Sequence, residues 1–216
     1  MRIRFDNELD TLYMDMVKMS NLAEKALELV YQELSTEDRT KLEEIIETSK
    51  EIDQKDREIE TLCMRLLLRR QPVAGDLRTI SSALKMIDDI ERIGDNAADI
   101  AEILPFISSS EETRRVGLDK MAKEVSKMVT DAIDAFVRSD ALKSSAVIEY
   151  DDVVDAIFTS AKDKITDMIK TGDEKASEAP DLLLIAKYLE RMGDHAASLA
   201  TWVLNAIGRP AEDKKQ

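Results

Sequence analysis

Glu91–Glu102, reading ERIGDNAADIAE, is answered 99 residues later by ERMGDHAASLAT from Glu190 to Thr201. The pairs Leu84/Leu183, Arg92/Arg191, Gly94/Gly193, Ala97/Ala196 and Ala98/Ala197 share that offset, so the chain reads as one unit written twice. Around the first copy the apolar residues Leu84, Ile87, Ile90, Ile93, Ala97, Ile100 and Leu104 keep a helical period. At about 100° per residue, Asp88, Glu91, Asp95, Asp99 and Glu102 then fall within an arc of roughly 80° on one helix face. Like charges at i,i+4 repel by about 0.2–0.5 kcal/mol per pair. A face that stacks them, and repeats its central Glu-x-x-x-Asp, predicts a cation that offsets the repulsion.

Reading outward, Phe5, Leu9, Leu12, Met16, Met19, Ala23, Ala26 and Val30 alternate steps of three and four, the seam of a long first helix. Ser35 and Thr36 offer an N-cap for a second helix, which Leu42, Ile45, Ile52, Ile59, Cys63 and Leu66 carry to about Arg70. Gln71-Pro72 with Gly75 breaks it, and Asp76 is placed to cap the third. Ser108, Ser109 and Ser110 form a turn and an N-cap, and the pattern starts over. Leu118 to Phe136 gives the fourth helix and Val147 to Met168 the fifth. The sixth runs from Leu182 to about Asn205, after a loop at Thr171–Pro180. The expected fold is all-α: two tandem three-helix bundles, residues 1–107 and 108–207, six long antiparallel helices in all. Residues 208–216 form a polar tail expected to fray.

Composition narrows the function. The net charge is −14, so no basic footprint for nucleic acid is present. No apolar run approaches the ~18–20 residues that span a bilayer, and no signal-peptide pattern opens the chain, so a soluble, intracellular protein is expected. Cys63, the only cysteine, sits in the apolar run Leu62–Leu68 and reads as a small core residue. There is one histidine and no Glu-x-x-His, which removes the usual ferritin-like di-iron set. A Gly-rich phosphate loop and a nucleophile paired with a base are also absent, so the chain does not read as an enzyme.

The acidic ladder has company on neighbouring helices. Ser49 and Asp56 occupy seam positions of the second helix with Asp53 beside them, and Asp151 and Asp155 do the same on the fifth. Carboxylates on a packing seam cost free energy unless paired or metal-bound. Asp53 lies about 18 residues before Gln71-Pro72, and Glu91–Asp95 about 19–23 after it. At 1.5 Å per residue both lie near 28 Å from the turn, side by side on antiparallel helices. Asp155 and Asp194 match in the same way, each about 16 residues from its loop. Carboxylate oxygens gathered without Cys or His select hard cations, Mg²⁺, Mn²⁺ or Ca²⁺, with iron next. The competing reading is a solvated acidic face. Gly94 and Gly193 leave space either for a close helix or for an ion and its waters.

Glu-Arg-Ile-Gly-Asp at 91–95, Glu-Arg-Met-Gly-Asp-His at 190–195 and Arg-Arg-Gln-Pro-Val-Ala-Gly-Asp-Leu-Arg at 69–78 together resemble the PhoU family of phosphate-uptake regulators over nearly the whole chain. The resemblance implies a cytosolic, non-enzymatic negative regulator that works with a phosphate ABC transporter and a membrane sensor kinase, commonly as a homodimer. It also implies bound divalent or trivalent metal ions (Mg, Mn, Ca, Fe or Zn). The implied metal ligands are Asp53, Glu91, Asp95 and Asp99 in the first half, and Asp151, Asp155, Glu190 and Asp194 in the second. Two departures stand out: Ser49 replaces a family acid, and Ser198 and Thr201 stand where Asp99 and Glu102 do in the first ladder. Two rival classes remain, a metal-free helical scaffold and a carboxylate-metal hydrolase. His195 is either an outer ligand or a partly exposed helix residue. Arg92 and Arg191 either bind an anion or form intrahelical salt bridges. Arg69, Arg70 and Arg78 mark a docking turn or a solvated one.

Overall fold

The computed structural model describes residues 2–36, 39–70 and 73–208, with the side chains of residues 2–4, 69 and 70 left aside. Seven α-helices and no strand occur among them: α1 (Arg2–Ser35), α2 (Leu42–Arg70), α3 (Ala74–Ile103), α4 (Ser110–Val116), α5 (Leu118–Arg138), α6 (Ala141–Thr171) and α7 (Ala179–Ala206). Six are long, as expected; α4 is the addition. Gly117 stops it, with φ of +95°, a left-handed turn that only glycine takes without strain.

In the first half α1, α2 and α3 pack together, and in the second α5, α6 and α7. The halves join chiefly along α3 and α7, with α1 against α5 beside them. The seams run as the periodicity requires. Ile45, Ile52, Ile59 and Leu66 of α2 repeat every seven residues and are all fully buried. Each such aliphatic side chain contributes about 1.5–3 kcal/mol by leaving water. Met16 and Met19 enter the core, whereas Met14 flanks it in solvent. Cys63 is fully buried, and burial pushes its thiol up to about 12, so it stays protonated.

The turns differ from the sequence expectation in instructive ways. Ser35 does not cap α2; it closes α1, and the Thr36 hydroxyl bonds back to Gln32 O at 3.0 Å. The buried Glu33 instead ties the entry to α2, its Oε1 accepting from Lys41 N, just before the helix, at 3.0 Å. Asp76 does not cap α3 either, since Val73 holds the N-cap position and Asp76 lies inside the first turn, where its charge suits the helix dipole. Gln71-Pro72 and the tail beyond Gly208 lie outside the described residues, and Gly75 falls within α3. Ser109 takes the N-cap position of α4 without a side-chain bond. Between α6 and α7 the chain makes a 3-10 turn at Ala176–Glu178, and Pro180 enters the first turn of α7, where its missing N–H costs nothing.

Long-range polar ties fix the halves in register. Thr113 donates to Leu34 O at 2.7 Å, and Tyr13 donates to Val137 O at 2.8 Å with its ring against Phe136. Within the second half, Arg115 of α4 pairs with Asp173 after α6 at 2.8 Å.

Candidate metal centre

Antiparallel packing of α2 on α3 brings Asp53 level with Glu91 and Asp95. One oxygen from each lies within 4.8 Å of the others, the only such trio among the described residues. All three carboxylates are half-buried. The backbone approach that permits this depends on Gly94. A Cβ there would stand 2.8 Å from Cδ1 and 3.4 Å from Cγ2 of the fully buried Ile52. Gly94 is thus a close-packing residue, and the trio converges because α2 is drawn in beside it.

The electrostatics of the trio are unresolved by the protein itself. Burial, and then Asp95, raise Glu91 above the ordinary carboxylate range, and Asp56 and Asp53 add to the effect. Burial and then Asp53 raise Asp95. Arg92 is the near cation, at 3.4 Å from Glu91 and 3.3 Å from Asp95, so it bridges within its own helix. Asp53 Oδ1 is inaccessible to solvent and accepts no hydrogen bond. Three converging carboxylates, one of them carrying a buried, unsatisfied oxygen, are the arrangement that an oxygen-liking cation would complete, so these residues fit such an ion.

Asp56 extends this face. Its Oδ1 is likewise buried and unpartnered, and burial followed by Asp88 raises its pKa. Sequence reading placed Asp56 on the seam but not among the ligands; the signal was the same seam intrusion that marked Asp53. Asp99 is not part of the trio; Tyr188 of α7 lies near it, and burial, then the Asp99 charge, raise the Tyr188 hydroxyl above its ordinary range.

The second half repeats the frame with different contents. Gly193 faces Val154, whose Cγ1 would be 3.3 Å from an added Cβ, and Asp151 Oδ1 lies 3.6 Å from the same point. Burial and then Glu190 raise Asp194, with Asp155 contributing, so the four acids share one neighbourhood. Lys187 pairs with Glu190 and also lies 5.6 Å from the Phe158 ring centre. Of these acids Asp155 is exposed and Asp194 only partly covered.

Between the faces, α3 and α7 share a polar contact that the sequence reading did not anticipate. The buried Asp89 accepts from Ser198 Oγ at 2.7 Å and meets His195 Nδ1 at 3.0 Å. His195 is therefore half-buried and held by α3. Asp89 interrupts the apolar run Met86, Ile90, Ile93, and that interruption was the available signal.

Six long helices arranged as a duplicated three-helix bundle, with the short α4 between the halves and an acidic Glu-x-x-x-Asp face on the third long helix of each, define a class of helical repeat protein. A family model for the PhoU domain matches residues 16–104 and again 118–203. The chain belongs to the PhoU domain family. It is 34% identical over 206 residues to a phosphate-specific transport system accessory protein PhoU homologue of Thermotoga maritima, covering 94% of this chain and 88% of the relative. A homologue of the same description from Clostridium acetobutylicum is 30% identical over 197 residues, 90% of each chain. The crystal structure of PhoU from Pseudomonas aeruginosa superposes with a TM-score of 0.87 at 31% identity, covering 94% of this chain and 98% of that one. The phosphate transport system regulatory protein PhoU from Streptococcus pneumoniae gives 0.84 at 26% identity, covering 94% and 97%.

Proposed function

We propose that this protein is a cytoplasmic regulator of phosphate uptake and phosphate-starvation signalling, acting by contact with a phosphate ABC transporter and a membrane sensor kinase. Support comes from its relationship, over about nine-tenths of its length, to proteins named as accessory to phosphate-specific transport. No described helix is long and apolar enough to cross a membrane, so any membrane partner is met from outside the bilayer. The functional unit in this reading is a homodimer, and its role is non-enzymatic.

The observation that carries the site is the convergence of Asp53, Glu91 and Asp95, one oxygen of each within 4.8 Å of the others, with Oδ1 of Asp53 buried and unbonded. In this reading Asp53, Glu91 and Asp95 hold a divalent or trivalent cation, with Asp56 at its flank. Asp151, Asp155, Glu190 and Asp194 form the second, weaker position. A bound cation would reverse the local field and turn a repelling face into one that receives an anionic group. The chain itself does the positioning: Gly94 sets the helix separation, and Arg92 orients Glu91 and Asp95.

Two measurements test this. Metal content of protein purified without chelator, compared with Asp53→Asn/Glu91→Gln, should fall in the variant; equal content in both would make the face a solvated one. A phosphate-responsive reporter in a strain lacking the chain should be constitutively on and be restored by the wild-type chain. A reporter indifferent to the chain would remove the regulator reading.

A further inference from the structure

Lysines over most of this acidic molecule are matched with carboxylates: Lys18 with Asp15, Lys25 with Glu44, Lys50 with Glu47, Lys85 with Asp88. The groove between α5 and α6 breaks that pattern. Lys120, Lys123 and Lys127 stand at i, i+3 and i+7 on α5, one stripe along the helix. Among the described residues neither Lys120 nor Lys123 has a carboxylate at ion-pair distance. Lys127 lies over the Tyr150 ring, 4.1 Å from its centre, and Lys164 on α6 reaches only the Val116 carbonyl at 3.5 Å. The two acids in the groove are already engaged, Glu124 by the Tyr150 hydroxyl at 2.8 Å and Asp131 by Lys143 at 3.0 Å.

Between these helices lie two hollows in line. One, of about 450 Å³, has Val116, Val153, Ala156 and Ile157 in its walls, with Lys120 and Lys164 at its edge. The other, of about 330 Å³, has Met128, Leu142, Ala146 and Val147 in its walls, with Lys127 at its edge. Val153 is 41% exposed and Leu142 82%, apolar surface with nothing over it in the monomer. From Leu142 to Lys164 the groove follows α6 for about 33 Å at 1.5 Å per residue.

We propose that the α5–α6 groove receives an acidic amphipathic helix of a partner protein. Its apolar side chains at i, i+3, i+4 and i+7 fill the two hollows, and its flanking carboxylates meet Lys120, Lys123, Lys127 and Lys164. The charge argument selects the occupant. In a chain of net charge −14, four ammonium groups left without an acid along one apolar groove complement an anionic partner and repel a basic one. A free phosphate or other small anion would satisfy the lysines but leave the hollows uncovered. The proposal deepens the regulator reading above by giving its partner a surface, and it makes no use of the acidic faces on α3 and α7.

The probe is a fluorescein-labelled helical peptide of about 20 residues, leucine at the i, i+3, i+4, i+7 positions and glutamate on both flanks, with a lysine-for-glutamate twin as control. Anisotropy titrations use the full chain with EDTA throughout, so that cation binding at the acidic faces does not enter. The acidic peptide should bind, and more weakly as salt rises. Lys120→Glu/Lys127→Glu should weaken it by roughly tenfold or more, and Val153→Asp by a similar factor, while circular dichroism and Tm stay unchanged because all three side chains are at the surface. The lysine twin should prefer the Lys120→Glu/Lys127→Glu variant. Failure of the acidic peptide to bind, or equal affinity for wild type and variants, overturns the proposal. So does sedimentation showing that the same variants dissociate a self-assembled form, for the groove then holds a second copy. A negative result here with an intact reporter response would leave the regulator reading standing and remove only this surface.

Discussion

The two halves share a backbone plan but not a charge plan. Position for position on α3 and α7, Gly94 corresponds to Gly193, Glu91 to Glu190 and Asp95 to Asp194, and both glycines lie against a β-branched residue of the preceding long helix. On that preceding helix the repeat offset is 102, which pairs Asp53 with Asp155 and Ser49 with Asp151. It also pairs Asp56 with Phe158, and on the following helix Asp88 pairs with Lys187. The first half therefore crowds acids around an unsatisfied Asp53. The second replaces two of them with an aromatic ring and an ammonium that pairs with Glu190. One half looks outward for its counter-charge, and the other supplies part of it from within.

The sharpest way to break this contrast is to remove ligands from one half at a time. Asp53→Asn/Glu91→Gln should lower cation affinity at the first face by about 100-fold or more, beyond the roughly 10–100-fold that outer-shell changes cost. Asp155→Asn/Glu190→Gln should leave that tight binding intact. Isothermal titration of each variant with Mn²⁺ and Mg²⁺ decides it; equal losses from both pairs would mean the halves are functionally alike.

A gain-of-binding experiment is smaller in effect but more discriminating. Lys187→Met frees Glu190, and Phe158→Asp restores the acid found at Asp56. Together they should strengthen the second site by about tenfold, about 1.4 kcal/mol. An unchanged second affinity would show that Lys187 is a surface ion pair without influence, as many are.

Much of this was legible before any coordinates. The period of three and four placed six long helices, and counting residues from each turn put Asp53 beside Glu91 and Asp95, because rise per residue is nearly constant in a helix. What escaped was local or depended on the second half's position. Gly117 interrupts a good helical pattern by backbone conformation alone, and Ser35 carries capping chemistry at a position where it ends α1 instead. Asp99 was read on its own helix and Asp89 not at all, yet the partners of Asp89, His195 and Ser198, come from α7, as does Tyr188 near Asp99. No count along one repeat fixes how the two repeats face each other. Gly94 and Gly193 carried two readings in sequence, and packing distances supply a close helix at both.

Those distances give a third comparison. Gly94→Ala sets a methyl 2.8 Å from the buried Ile52 Cδ1, whereas Gly193→Ala meets Val154 at 3.3 Å. Crowding a packed core costs about 1–3 kcal/mol, and replacing a mid-helix glycine by alanine returns about 1 kcal/mol. Gly94→Ala should be destabilising by about 1 kcal/mol and Gly193→Ala close to neutral, measured by urea denaturation with chelator present. A reversed order would mean that α2 yields more easily than α6.

The smallest effect is the pH dependence of stability without cation, and its sign follows from the raised acids. Asp56, Glu91 and Asp95 in the first half and Asp194 in the second hold protons in the folded chain to higher pH than in the unfolded one. The folded state therefore binds more protons between the ordinary carboxylate range and those raised values. Stability in EDTA should be higher below that window and fall as pH climbs through it, then level off toward neutrality. Asp134, Asp173, Glu44 and Glu58, held low by Lys143, Arg115, Lys25 and Lys55, act oppositely, with their window below the ordinary range. Three of the four raised groups lie in the first half, so Glu91→Gln/Asp95→Asn should flatten the slope more than Asp194→Asn does. The Tm changes involved are about 2–4 °C or less for a chain of this size. Saturating Mn²⁺ should reverse the slope, because only the deprotonated acids bind the ion and rising pH then adds stability. A slope that keeps its sign with and without Mn²⁺ would mean that these acids titrate without ever sharing a cation.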